Sequence, residues 1–398
     1  MAETPTAPGS AEAPDRPLRA PALRTAIAGA GMIGRVHLDA VRRSGAPVAG
    51  ISASTPARAA EAAAALGVAR AFDSSEELVT SDDVDVVHIC TPNDAHARLA
   101  ALALRAGKHV VCEKPLTTSA ATAAELAALA ASSGKVAAVP FVYRYHPMAA
   151  EARARVRDGR AGTVRLLHGH YLQDWLALPG DTNWRVDPVA GGPSRAFADI
   201  GSHWCDLVEW VTGHRITELT ALTQTVPRDA APGSGSAPTS STAALPATED
   251  VVQLLFRTDG GATGALTVSQ ISPGRKNRLW FEVDGARTSL AFDQENPESL
   301  FVGSRGENTV PVRDPALLSP AAAGLSTVPG GHPMGYLDCF AAFVRDVHWA
   351  IRAADGGGAG EHDGGPAGPP TFDDAARMVR LTEAVLGSAA DRSWKEVS

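Results

Sequence analysis

Residues 23–34 read LRTAIAGAGMIG, a short apolar strand that runs directly into Gly29-Ala30-Gly31-Met32-Ile33-Gly34. G-x-G-x-x-G at a strand–helix junction is the spacing that holds the pyrophosphate of a dinucleotide, and each glycine has a steric reason. Gly29 permits the tight turn, Gly31 lets the backbone approach a phosphate, and Gly34 lets the helix pack on the strand. The helix N-terminus then offers free N–H groups and the positive end of its dipole to the anion, so Gly29, Gly31, Met32, Ile33 and Gly34 are candidate cofactor contacts. Short glycine spacings also arise by chance in a chain with 38 glycines, as plain structural turns. Context favours the dinucleotide: 25–28 reads as a buried parallel strand and 32–43 as an amphipathic helix closed by Gly45.

From there to residue 142 strands and helices alternate. Strands are expected at 48–52, 69–72, 84–90, 109–112 and 136–142, with helices at 56–66, 75–80, 95–106 and 120–132. Alternation of this kind predicts an α/β, doubly wound parallel sheet of Rossmann type, with its ligand at the carboxyl ends of the strands. After 144 the rhythm changes. Helices at 149–158 and 200–212 are accompanied by strands at 164–172, 217–225, 251–257, 262–269, 278–283, 288–292 and 299–302, joined by turns such as Asp259-Gly260-Gly261. This predicts an α+β unit with a large, mostly antiparallel sheet. The expected organisation is a disordered tail at 1–22, a dinucleotide-binding domain at 23–142 and a substrate and oligomerisation domain at 143–371. Gly/Pro-rich inserts at 227–248 and 355–370 are expected to be flexible, and a C-terminal helix within 372–398 packs back on the body.

Composition narrows the function. With 398 residues, 44% hydrophobic and 20% charged, the chain is an ordinary soluble globular protein. A net charge of −8 without a Lys/Arg cluster argues against a nucleic-acid partner. No stretch has the roughly 18–20 consecutive apolar residues of a membrane helix, and 1–21 lacks the apolar run of a signal peptide. Cys90, Cys112, Cys205 and Cys339 form no C-x-x-C pair and read as reduced thiols of a cytoplasmic protein.

Three further stretches carry chemistry. Thr91, Pro92, Asn93 and His96 lie at the carboxyl end of the 84–90 strand, where the nicotinamide half of a dinucleotide would pass; the alternative is a loop that caps the next helix. Glu113-Lys114-Pro115 ends the next strand and would bring a cation to the same crevice, unless Lys114 is simply solvated. In 197–206, Asp199, His203, Asp206 and Trp210 fall at i, i+4, i+7 and i+11, on one helical face. A carboxylate beside an imidazole orients the ring and sets its basicity, as acid–base catalysis requires; a buried histidine merely satisfied by Asp206 is the alternative. His168, His170, His203 and Cys205 can be gathered on paper, but their spacings match no ligand pattern and no metal is expected. At the end of the second strand, about 20 residues past the glycines, an NAD site usually carries an acid. Here Ser52, Ser54, Thr55 and Arg58 could receive a 2′-phosphate, which favours NADP over NAD. Tyr143, Arg144, Gln173, Trp175, Trp184 and Arg185 supply the aromatic and polar groups that suit a polyhydroxylated ring.

Taken together, 29–34, Thr91-Pro92-Asn93, Glu113-Lys114-Pro115 and 199–206 resemble the Gfo/Idh/MocA oxidoreductases, over about residues 23–386. The resemblance implies a Rossmann domain followed by an open-faced sheet whose outer face builds homodimers or homotetramers. It also implies reversible oxidation of a sugar or cyclitol hydroxyl with a nicotinamide cofactor. Lys114, Asp199 and His203 match the family's active-site lysine, aspartate and histidine, with either Lys114 or His203 as proton acceptor. Two other classes stand beside it: a lyase or glycoside-cleaving enzyme that oxidises its substrate transiently with a tightly held nicotinamide, and a non-catalytic dinucleotide sensor.

Overall fold

The computed structural model describes residues 22–178, 180–226, 248–356 and 368–397; the expected tail and most of both inserts lie outside them. The first sheet contains β1 (Thr25–Ala28), β2 (Val48–Ser52), β3 (Val86–Ile89), β4 (His109–Cys112) and β5 (Ala137–Ala138). Its order is β2-β1-β3-β4-β5, and every pair is parallel. The connecting helices are α1 (Met32–Arg43), α2 (Pro56–Leu66), α3 (Ser75–Thr80), α4 (Asn93–Arg105) and α5 (Ala120–Ser133).

Two expected strands shrink. Residues 69–72 make a single parallel bridge, Ala71 to Ile51, before Ser74 caps α3. The stretch 136–142 keeps only the two residues of β5, because Pro140 has no N–H for the ladder, and the chain turns into a 3₁₀ segment at Val142–Tyr145. Helix boundaries follow local chemistry. Ser119 accepts the Thr122 N–H at the start of α5, and Gly134 ends it in the left-handed region at φ 67°.

The second sheet has nine strands: β6 (Val164–Leu172), β7 (Ile216–Gln224), β8 (Val251–Thr258), β9 (Thr263–Ser269), β10 (Arg278–Gly285), β11 (Ser289–Asp293), β12 (Phe301–Gly303), β13 (Asn308–Thr309) and β14 (Lys395–Glu396). Their order is β13-β12-β11-β10-β6-β9-β8-β7-β14, antiparallel except for β6–β9. Alternation along β8 buries Val252, Leu254 and Phe256 and leaves Leu255 on the outer face. Helices α6 (Pro147–Arg157), α7 (Pro188–Gly191), α8 (Ser202–Thr212), α9 (Pro320–Leu325), α10 (Tyr336–Ala354) and α11 (Phe372–Asp391) complete the chain. Helix α8 crosses the inner face, where Trp204 Nε1 donates to the Trp280 carbonyl at 2.8 Å.

Helix α10 had no counterpart in the sequence pattern. Its Phe340, Phe343, Val344, Val347 and Ile351 share one buried cluster with Ile27, Leu38, Val86 and Val111. Residues 336–354 therefore complete the Rossmann core, although a boundary at 143 places them in the second unit. Helix α11 packs on α5 and β7, bridging the two sheets.

Candidate active site

The glycine loop is built as its spacing implies. Gly29 sits at φ +112°, and a Cβ there would lie 2.5 Å from the Cys90 carbonyl oxygen. A Cβ on Gly34 would lie 1.9 Å from the Gly29 carbonyl, whereas at Gly31 it would meet nothing within 4 Å. Gly29 and Gly34 are needed by the fold, and Gly31 leaves space open above it. Helix α1 begins there without a side-chain cap and without an acid in its first turn, so its N–H groups are free for an anion. Met32 is exposed beside it, Ile33 is half-buried, and the Thr91 hydroxyl across the loop is buried without a partner among the described residues. An open cradle, a bare helix N-terminus and an orphaned hydroxyl fit a bound dinucleotide.

Several expected cofactor contacts are engaged elsewhere. Ser52 is fully buried, its hydroxyl 3.0 Å from that of Ser75, which removes it from the rim. Thr55 caps α2 through the Arg58 N–H, and the exposed Arg58 guanidinium donates to Ser54 at 3.2 Å. His96 is buried, with Nδ1 2.8 Å from the Pro115 carbonyl and Nε2 2.9 Å from that of Thr91. It straps two loops together rather than facing the crevice. Pro92 is the N-cap residue of α4, and Asn93 Nδ2 donates to the Gly191 carbonyl at 2.8 Å, tying that helix to the second unit. Glu113 also turns inward. It accepts from His37 Nε2 at 3.0 Å and from the Lys114 N–H at 3.1 Å.

Lys114 and Asp199 meet across the two units. Lys114 Nζ donates to Asp199 Oδ1 at 2.7 Å and to the Asp199 carbonyl at 2.9 Å. The other carboxylate oxygen accepts from Gln270 Nε2 at 2.8 Å, and Arg185 Nε stands 3.6 Å from Oδ1. Burial works to raise the Asp199 pKa, but the Lys114 and Arg185 charges and the Lys114 hydrogen bond outweigh it and hold the carboxyl well below its usual range. Asp199 lies in a π-helical turn, Phe197–Gly201, that precedes α8. The Glu249 carboxylate anchors that turn by accepting from the Ser194 hydroxyl and from the Arg195 and Phe197 N–H groups.

His203 projects from α8 into the same space. Its ring lies edge-to-face with Phe141 (5.7 Å) and Tyr143 (5.3 Å), and its Nδ1 is buried without a partner among the described residues. Burial, with the Lys114 charge, pushes its pKa down to about 3, so the imidazole is neutral. Asp206 does not orient it. The wider π turn shifts Asp199 off the face that His203, Asp206 and Trp210 share on α8. Asp206 instead accepts both prongs of the Arg144 guanidinium, with Nε at 2.8 Å from Oδ2, and Asp374 stands 3.3 Å from the same guanidinium. Burial raises the Asp206 carboxyl to about 7 against the pull of Arg144. Arg144 is thus part of this buried network and is not available to a substrate.

The remaining wall is a polar network. Tyr143 and Tyr171 hydroxyls are 2.7 Å apart, and Asn277 Nδ2 donates to Tyr143 at 3.1 Å. Asn277 Oδ1 accepts from Tyr171 and from Gln173 Nε2, each at 2.8 Å, and Trp175 Nε1 donates to Gln173 Oε1 at 2.9 Å. Burial pushes the Tyr143 phenol up to about 12. Trp184 lies under the Arg185 guanidinium at 4.5 Å. Gln270, Asn277, Tyr336 and Glu249 belong to no sequence pattern, and only three-dimensional proximity reveals them. The paper metal set does not form. His168 and His170 alternate with Gly169 and Tyr171 along β6 and face outward, while His203 and Cys205 lie on α8 beneath the inner face. On the outer face His168 Nε2 pairs with Asp284 at 3.2 Å, beside Glu282.

A Rossmann cradle whose lysine is met by a carboxylate from an antiparallel sheet unit is the build of a two-domain, dinucleotide-binding oxidoreductase. Residues 23–141 match the family model described as oxidoreductase family, NAD-binding Rossmann fold, and 149–291 match the GFO/IDH/MocA C-terminal domain. The chain belongs to the Gfo/Idh/MocA oxidoreductase family. Levoglucosan dehydrogenase of Pseudarthrobacter phenanthrenivorans is 29% identical over 361 residues, spanning 87% of this chain and 88% of its own length. The crystal structure of an oxidoreductase domain protein from Kribbella flavida is 32% identical with a TM-score of 0.81, covering 95% of this chain and 99% of that one. That of an inositol dehydrogenase homolog from Azotobacter vinelandii, complexed with NAD+, is 28% identical with a TM-score of 0.84, covering 95% and 98%. Among the described residues no helix is long and apolar enough to cross a membrane, and the four cysteines are free and buried.

Proposed function

We propose that the chain is an NAD(P)-dependent dehydrogenase that oxidises, reversibly, a hydroxyl of a sugar, sugar derivative or cyclitol. The observation that carries this reading is the Lys114–Asp199–Gln270 assembly beside a neutral His203, at the carboxyl edge of a parallel sheet with an open glycine cradle. The N–H groups of the loop and of α1 would hold the phosphates, and Thr91 and Asn93 would flank the nicotinamide half. When bound, the nicotinamide supplies the hydride acceptor or donor.

The chain's own residues divide the proton chemistry. His203, neutral and with its buried Nδ1 open among the described residues, is the group placed to receive the hydroxyl proton. Lys114 spends two of its three N–H donors on Asp199 and keeps one for the substrate oxygen, where it stabilises developing negative charge. Asp199, itself held by Gln270, keeps the lysine aimed. Gln173, Trp175, Trp184 and Arg185, with Tyr143 behind them, would receive the other hydroxyls and C–H faces of the ring.

Two relatives support a polyol substrate by name, one a levoglucosan dehydrogenase and one an inositol dehydrogenase homolog. Because β2 ends without an acid and Arg58 is exposed beside Ser54, NADP is favoured over NAD. The outer face of the second sheet, with Leu166, Leu222 and Leu255 exposed, would join copies into a homodimer or homotetramer. The test is absorbance at the reduced-nicotinamide band, with NAD or NADP and a panel of sugars, anhydrosugars, inositols and sugar acids. Turnover with net cofactor reduction supports the reading. Bond cleavage without net reduction would replace it with the lyase.

A further inference from the structure

Behind Lys114 runs a chain of buried titratable groups that the proposed reaction does not use. His88 is on β3, His37 on α1 and Glu113 at the end of β4, and each is buried. His88 Nδ1 is 2.8 Å from His37 Nδ1, and His37 Nε2 is 3.0 Å from Glu113 Oε1. Glu113 Oε2 accepts the backbone N–H of Lys114 at 3.1 Å.

The protons can be counted. Burial works against ionising Glu113, but the His37 hydrogen bond and the nearby Lys114 charge hold its carboxyl below the usual range. An ionised carboxylate only accepts, so His37 Nε2 carries a proton. Between the two facing Nδ1 atoms there is room for one more. Burial keeps His88 well below its usual pKa and therefore neutral. Either ring can be the donor in that contact, a neutral His88 through Nδ1 or a doubly protonated His37, and the His88 Nε2 atom is buried with no partner among the described residues. In either arrangement His37 bridges His88 to the Glu113 carboxylate. Phe340 of α10 lies edge-on to the His37 ring at 4.9 Å and keeps it from swinging away.

The two ends of this chain matter for the site. His37 is on the helix whose N-terminus faces the glycine cradle, and Glu113 grips the backbone of the residue whose ammonium lies on Asp199. We propose that His88–His37–Glu113 is a positioning unit that locks the cofactor-facing helix to the backbone of Lys114 and so fixes the Lys114 ammonium for the reaction. It rests on the role given to Lys114 above. None of the three residues touches the reacting atoms; they act through Lys114.

The test uses the full chain with His37→Phe, which removes both ring contacts, and His37→Gln, whose amide nitrogen can still donate to Glu113. His37→Phe lowers kcat about 10- to 50-fold, while dinucleotide Kd from a fluorescence titration stays within about threefold, and His37→Gln restores kcat to within about threefold of wild type. A second readout needs no turnover: mass spectrometry of the reductive methylation rate of Lys114, without dinucleotide. This rate rises at least about threefold in His37→Phe and returns toward wild type in His37→Gln. Wild-type kcat and an unchanged Lys114 rate in a folded His37→Phe protein overturn the proposal. If His37→Phe fails to fold, Glu113→Gln is read by the same two measurements. If the wild-type enzyme turns over nothing in the polyol panel, the functional reading fails, and the methylation rates still decide whether the unit positions Lys114.

Discussion

Replacing Asp199 with Asn tests the proposed chemistry most directly. The carboxylate accepts Lys114 Nζ at 2.7 Å and Gln270 Nε2 at 2.8 Å, and it is the negative charge nearest Arg185 in the site. An amide of the same shape keeps one acceptor, but it turns an N–H₂ toward either the lysine or the glutamine, both of which are donors there. One charge-assisted hydrogen bond is lost, worth about 1.5–3 kcal/mol. Because Lys114 acts on the reacting oxygen, that loss falls mainly on the transition state and lowers kcat roughly 10- to 150-fold. A second effect has the same sign. Asp199 raises the His203 pKa, so its neutralisation leaves the imidazole beside an uncompensated ammonium and makes it a weaker base. Initial rates at saturating cofactor and substrate measure kcat, and a fluorescence titration measures dinucleotide Kd, which should move less than about threefold. Stability responds to pH in a defined direction. The folded pKa of Asp199 is depressed, so its contribution is complete above the unfolded value near 4 and is lost as pH falls below it. The stability gap between wild type and Asp199→Asn should therefore be largest at neutral pH and narrow below about pH 4. A kcat within threefold of wild type, or a larger loss in Gln270→Leu than in Asp199→Asn, would refute the reasoning.

Gly31 and Gly34 separate binding from folding. Gly31→Ala places a methyl in open space, so its melting temperature should stay near wild type while dinucleotide Kd rises about tenfold or more; Gly34→Ala, with its Cβ 1.9 Å from a carbonyl oxygen, should lose stability itself. Arg58→Ala should lower the ratio of kcat/KM for NADP over NAD by about tenfold, and an unchanged ratio removes Arg58 from cofactor choice. Arg144→Met strands Asp206 in the interior at a cost of about 3 kcal/mol, which calorimetry should register as a lower Tm. Substrate KM should not change, and a large rise in KM would return Arg144 to the substrate site.

The legible part of the site is where sterics act over a few residues. Gly34 presses on the Gly29 carbonyl five residues back, and Gly29 turns at φ +112°, so the spacing of the loop states much of its geometry. Lys114 can be placed at the carboxyl edge of the sheet because it closely follows β4, whereas Asp199 is singled out by helical spacing and by the family resemblance. Misreadings begin where local spacing meets a distant partner: the π turn at Phe197–Gly201 offsets Asp199 from the α8 face, and Asp206, although one turn from His203, has its carboxylate taken by Arg144. Ser52 looked like a ribose contact because it ends a strand, but nothing in its own neighbourhood announces Ser75. Gln270 and Asn277 reach the site from strands far away in sequence, and no local pattern encodes such a meeting. The long amphipathic helix Tyr336–Ala354 closes a core assembled some three hundred residues earlier, and such a partnership leaves no trace in either segment alone.

That helix also limits how the protein can be taken apart. Phe340 and Phe343 cover Ile27 and Val86 from the far side of the chain, so residues 22–142 made alone would present a bare greasy slab where α10 should lie. The Rossmann half is consequently not a detachable cassette. A chimera that transplants it onto another sheet unit would need to carry 336–354 along as a third piece, and exchange of coenzyme-binding halves between relatives is constrained by a stretch that lies beyond the whole second sheet's main strands in sequence.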